Sequence, residues 1–168
     1  MMKHRHYIDK FLEWTLIFLM AFNVLNVLWQ VFTRFILKNP SSYTEELARY
    51  LLVWVGMLGA SYAAGKKLHL AIDILSAKFQ RISRIYLEMF IQFCVLFFAV
   101  AVMMVGGIRL VTITLKLNQI SAALRVPLGY VYLVLPVSGL LITYYSVFNI
   151  IEQFRELFSA TPQNNLNS

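Results

Sequence analysis

Four long stretches of this 168-residue chain contain no charged side chain, and that one feature excludes most folds. They cover residues 14–33, 50–65, 89–108 and 126–151, bounded in turn by Glu13 and Arg34, Arg49 and Lys66, Glu88 and Arg109, and Arg125 and Glu152. A soluble helix bundle needs a charged face on every helix, and these runs have none. Sixty per cent of the residues are hydrophobic, only 14% are charged and the mean hydropathy is +0.67, far from the globular balance. About 20 apolar residues cross a bilayer, so the pattern predicts an all-α membrane protein with four transmembrane helices.

The spans are expected at about 14–36, 44–65, 88–109 and 126–151, within one membrane domain covering 1–158. The second run is short: at 1.5 Å per residue it covers about 24 Å. Its helix is therefore expected to start near Thr44, with Glu45, Glu46 and Arg49 at the membrane surface. The fourth run is long enough to tilt, or to bend at Pro136. The first is too long for the apolar core of a signal peptide and no small-residue cleavage site follows it, so it is expected to remain a span. Cys94 stands alone inside the third run, which rules out an intrachain disulfide.

The net charge of +7 is spread over the loops beside the spans, which suits membrane topology and not nucleic acid. Placing both termini in the cytoplasm puts nine cations inside: Lys3, Arg5, Lys10, Lys66, Lys67, Lys78, Arg81, Arg84 and Arg155. Six lie outside: Arg34, Lys38, Arg49, Arg109, Lys116 and Arg125. The positive-inside rule favours that orientation.

Between spans two and three, residues 71–86 place Ile72, Leu75, Phe79, Ile82 and Tyr86 at helical spacing. Asp73, Lys78, Gln80, Arg81 and Arg84 fall largely off that stripe. This predicts an amphipathic helix lying at the interface, its cations meeting phospholipid; the alternative is a helical extension packed on protein. Residues 110–124 either extend span three or lie along the outer surface, and 159–168 reads as a disordered tail.

Span one carries Asn23, Asn26, Gln30 and Arg34 on one face, and span two carries Gly56, Gly59, Ala60, Ala63 and Ala64. Amides in hydrocarbon seek partners and small residues admit a neighbouring backbone, so these residues are expected to pack a four-helix bundle.

The stretch from Ser42 to Asp73 holds the most specific pattern. Thr44 suits an N-cap, Glu45 and Glu46 suit the positive end of a helix, and Glu45 precedes Arg49 by one turn. Tyr50, Trp54, Gly59 and Ala60 follow, then Lys66 and Lys67, then His69 and Asp73 at i,i+4 spacing. This order resembles the small membrane subunit of TRAP transporters, the tripartite ATP-independent periplasmic carriers. A second match runs through Gln119, Ile120, Ser121, Ala122, Ala123, Leu124, Arg125, Val126 and Pro127, followed by Tyr132 and Pro136. Lys66 and Lys67 stand where that family often has Arg. The resemblance covers roughly residues 14–152.

The resemblance implies a bacterial inner-membrane, multi-pass scaffold that pairs directly with a large membrane subunit carrying an organic acid with sodium. A periplasmic binding protein would deliver the substrate and dock nearby. The chain looks closest to the sialic acid branch, with C4-dicarboxylates as the alternative. Glu45, Glu46, Arg49, Tyr50 and Trp54 are then expected to form a subunit-interface or structural cluster at the outer surface. His69 and Asp73 are expected to fix the bend at the cytoplasmic end of span two.

Other chemistries lack their residues. No Asp, Glu, Lys, Arg or His lies inside the four runs, so an ion-coupling site of the chain's own is missing. A self-contained transporter of the small multidrug kind would need a membrane-embedded Glu. A respiratory haem anchor would need axial histidines within spans, yet His4 and His6 lie in the tail and His69 at a loop boundary. No phosphate loop, zinc spacing or nucleophile–base pair occurs. The chain is expected to be no enzyme, to need no cofactor or metal, and to bind no substrate by itself.

Overall fold

The computed structural model describes residues 2–38, 41–66 and 81–160. Helix α1 is Met2–Phe35 and α2 is Ser42–Gly65. The third span is one continuous rod made of α3 (Arg81–Phe98), a π-helical segment (Ala99–Gly106) and α4 (Gly107–Lys116). A short helix α5 (Leu128–Tyr132) leads into α6 (Val134–Ala160). Four helices are long and apolar enough to cross a membrane: Arg5–Phe35, Ser42–Gly65, Tyr86–Lys116 and Leu128–Arg155. The described residues form an all-α protein. His69, Asp73 and residues 71–80 of the expected interfacial helix lie outside the described residues, and Arg81–Tyr86 are the first turns of α3. Most of the expected tail also lies outside them, while α6 runs on to Ala160.

The helices stand as a chain of neighbours more than as a closed ring. Helix α2 packs on α1 and on α6, and α6 packs on the third span. The seam of α1 against α2 follows Leu12, Leu16, Leu19, Asn23, Asn26, Gln30 and Thr33, in alternating steps of four and three. That 3.5-residue period is the signature of a left-handed pair of helices. The polar stripe expected on α1 lies on this seam as far as Gln30, but Thr33 takes the next place. Arg34 is one residue out of phase and stands exposed.

The third span keeps its buried line straight by changing its helix type. Ala99, Met103, Gly107 and Val111 are all buried, at steps of four. In an α-helix four residues overshoot a turn by about 40°, so three such steps would drift about 120° off the neighbour. The wider i→i+5 turns of a π-helix cancel that drift. The result is close contact with α6: a Cβ on Gly139 would stand 2.9 Å from Met103 Cβ, and one on Gly107 would stand 3.0 Å from Pro136 Cδ. Pro136 does interrupt the fourth span, but the break falls at Leu133. A proline ring clashes with the carbonyl four residues earlier, here Tyr132, so the chain yields just before it.

The small residues of α2 do not all pack as expected. Gly56 and Ala60 are exposed, and nothing lies within 4 Å of a Cβ placed on Gly56 or Gly59. Ala63 is half-buried. The close approach occurs further on, where the buried Tyr145 ring lies 2.8 Å from a Cβ on Gly65. Overpacking at a fully enclosed ring costs about 1–3 kcal/mol. Gly65→Ala is therefore expected to lower the detergent melting temperature by several degrees, while Gly56→Ala leaves it nearly unchanged. Equal losses at both positions would contradict this packing.

Candidate functional site

Helix α4 ends in a Schellman motif. The Asn118 N–H donates to Leu115 O at 3.1 Å, the Gln119 N–H donates to Thr114 O at 3.1 Å, and Asn118 takes a left-handed φ of 47°. Asparagine tolerates that conformation better than most residues. The chain then folds on itself: Ile120 pairs with Pro127 as an isolated antiparallel bridge, Leu128 N–H donates to Gln119 O, and Ser121 N–H donates to Val126 O. Residues 117–127 are thus a tight loop, and of the two expectations for 110–124 the extension of span three holds as far as Lys116.

The tip of this loop is held by α2. Glu46 Oε2 accepts the backbone N–H of Ala123 at 2.8 Å and of Leu124 at 2.9 Å. Its other oxygen, Oε1, accepts the Tyr50 hydroxyl at 2.7 Å, and Ser121 Oγ shares the Leu124 N–H at 3.3 Å. Further along α2, Trp54 Nε1–H donates to Val131 O of α5 at 3.1 Å. The two sequence motifs that carry the family resemblance meet here, with one carboxylate joining them across 77 residues of chain. Charged acceptors on backbone N–H groups make shorter and stronger bonds than neutral ones.

The start of α2 is tied to α1 as well. Asn26 Nδ2 donates to Thr44 O at 2.8 Å inside the seam, and Thr44 is buried. The helix begins at Ser42 with Ser41 as its N-cap residue, so Thr44 is not the cap expected from sequence. Its hydroxyl donates to Ser41 O at 2.8 Å instead. Glu45, Glu46 and Arg49 do not form one ionic cluster. Glu45 and Arg49 make an exposed pair at 3.4 Å, while Glu46 turns the other way to the loop. Exposed pairs of this kind contribute little. Glu45 also lines a shallow cleft of about 350 Å³ with Gln30, Arg34, Ser41 and Ser42.

A second polar cluster, at the opposite end of α2, was not among the expected sites. Asp9 Oδ1 accepts the Tyr145 hydroxyl at 2.6 Å, and Asp9 Oδ2 lies 3.5 Å from Lys66 Nζ. Arg5 donates to Gly65 O and to Asn149 Oδ1, and its guanidinium lies over the Tyr145 ring. Tyr145 and Asn149 are buried. The only trace of this in the sequence is Asp9, one turn after Arg5 in an otherwise basic tail. Its partner Tyr145 lies 136 residues away. Among the described residues no group of three or more His, Cys, Asp or Glu could hold a metal ion.

Two outcomes are expected. Glu46→Ala should speed amide hydrogen exchange at Ala123 and Leu124 by roughly tenfold, as a local opening of the loop, while Glu45→Ala leaves both unchanged. Unaltered exchange in Glu46→Ala would mean the loop holds itself. Tyr145→Phe removes a bond to a charged acceptor and should cost about 2 kcal/mol in unfolding experiments. A loss below about 0.5 kcal/mol would remove Asp9 as an anchor.

Known proteins share this arrangement of sequence. Residues 23–156 match the family described as the DctQ component of tripartite ATP-independent periplasmic transporters. The chain is 27% identical over 142 residues to a putative TRAP transporter small permease protein of Haemophilus influenzae, covering 82% of this chain and 84% of that one. It is 32% identical over 88 residues to the sialic acid TRAP transporter small permease protein SiaQ of Vibrio cholerae, covering 52% of this chain and 51% of SiaQ. The sialic acid TRAP transporter permease protein SiaT of Haemophilus influenzae is 33% identical over 98 residues, which are 55% of this chain but only 16% of SiaT. The matched family accounts for most of the chain, and its members are membrane components of transporters, not enzymes. The chain belongs to the DctQ family, the small membrane component of TRAP transporters.

Proposed function

We propose that this chain is the scaffold subunit of a sodium-coupled TRAP transporter that imports an organic acid. In this reading it pairs directly with a large membrane subunit that carries the substrate, and it enlarges the fixed part of that carrier in the bilayer. The carrying observation is how little of the apolar helix surface is covered by the chain itself. Only 6% of the most apolar window of the first span is buried, against 44% for the last. Helices this bare can face lipid, but they also offer a broad surface to a second membrane protein. The relatives SiaT and the isethionate TRAP transporter permease protein DctMQ of Oleidesulfovibrio alaskensis support the pairing, because this chain matches only 16% and 15% of their lengths. A homologous segment there belongs to a much longer permease.

Sialic acid is the first substrate to test, from the likeness to SiaQ and SiaT, with isethionate and C4-dicarboxylates beside it. In this reading the large subunit, and not this chain, reads the substrate. Both termini lie in the cytoplasm in this reading, so the Asp9–Tyr145 cluster is on the inner side and the Glu46 loop on the outer side. The exposed Glu45–Arg49 pair and the cleft beside Arg34 then face the periplasm, where a substrate-binding protein would dock.

The test is reconstitution. The chain should co-purify in mild detergent with a large TRAP membrane subunit when the two are expressed together. The pair, given its periplasmic binding protein, should take up sialic acid into liposomes under a sodium gradient. Uptake by this chain alone, or purification free of any larger subunit, would refute the scaffold role.

A further inference from the structure

The first turns of α1 and the last turns of α6 enclose a half-open groove of about 760 Å³. It is lined by the apolar Val147, Phe148 and Ile151 and by the polar Arg5, His6, Asp9, Glu152 and Arg155. The groove opens at the end of two membrane-spanning helices, where a headgroup and the upper part of an acyl chain meet the protein.

We propose that this groove is a binding site for one phospholipid with an anionic headgroup. The charge balance of the described lining favours a negative ligand. Asp9 also lines the groove, but its carboxylate is turned inward, with one oxygen on the Tyr145 hydroxyl and the other paired with Lys66. The side-chain bonds of Arg5 run to neutral acceptors, Gly65 O and Asn149 Oδ1, so its positive charge has no counter-charge among them. Among the described residues that line the groove, two guanidinium groups and His6 therefore stand with one further carboxylate, Glu152. Cations beside an apolar surface are what a lipid site between transmembrane helices needs. Arg5 is also fixed in place by the Tyr145 ring beneath it, so little ordering remains to be done when a phosphate arrives. The choice of the cytoplasmic leaflet rests on the orientation proposed above, whereas the preference for an anionic headgroup does not.

The experiment uses the protein as it purifies in mild detergent, with any larger subunit it brings, analysed by native mass spectrometry with phosphatidylglycerol and phosphatidylcholine of identical acyl chains. Wild type should retain phosphatidylglycerol about fivefold better than phosphatidylcholine, the gain expected of one cation at a membrane surface. Arg155→Gln should bring the ratio close to one. Ile151→Trp, which fills the apolar wall and leaves every charge in place, should reduce retention of both lipids. Melting curves would show that both variants remain folded. Equal retention of the two lipids by wild type would overturn the proposal, as would an unchanged preference in both variants. Cross-linking of Ile151→Cys to a co-purifying membrane protein, with no lipid retained, would assign the groove to a partner helix and overturn it too. Failure of the scaffold role would appear as the absence of a larger subunit and would leave the lipid ratio as it is.

Discussion

In a bilayer, exposed apolar surface faces lipid without penalty, so burial alone does little to choose one helix arrangement over another. Hydrogen bonds and close contacts must make that choice, and this chain concentrates them on α2. At one end of the helix Asn26 reaches Thr44 O, and Glu46 reaches the tip of the loop after α4. At the other end Lys66 and Gly65 meet Asp9, Arg5 and Tyr145. One turn before that second end, Ser61 Oγ donates to Ser138 O at 3.3 Å, joining two fully buried serines. Every other span takes its place relative to this helix, directly or through α6.

The second pair of spans is matched by backbone shape. The π-helical turns of the third span hold Ala99, Met103 and Gly107 on a line facing α6. Gly139 and the interruption before Pro136 let that face come close. Irregular helix costs some backbone hydrogen bonding, and inside a membrane such groups need partners. The carbonyl of Val131, beside the break, receives the indole N–H of Trp54. One bond thus satisfies a carbonyl beside the break and fastens α5 to α2.

The polar anchors sit at the two ends of the spans, while the middle is held by small residues, serines and apolar packing. Such a body offers plain apolar sides. The bare sides of α1 and the exposed Gly56 and Ala60 on α2 are where its own chain leaves helix surface uncovered.

Much of this was written locally. The four spans, a helical start within two residues of Thr44, the polar seam through Asn23, Asn26 and Gln30 and the proline break follow from residue type and spacing, because each depends on neighbours within a few turns. The family resemblance was also legible, since its motifs lie in two short stretches. What the sequence could not say is which ends meet. Glu46 and Arg49 look like members of one ion cluster, and only the tertiary fold turns Glu46 toward Ala123 and Leu124, leaving Arg49 with Glu45. Asp9 and Tyr145 carry no sign of each other, and Gly56 resembles Gly65 until the Tyr145 ring is in place. Hydropathy and helical period are sums over adjacent residues, so they fix the elements. A bond between residues 77 or 136 positions apart depends on how the helices are arranged, and that is decided only when they pack.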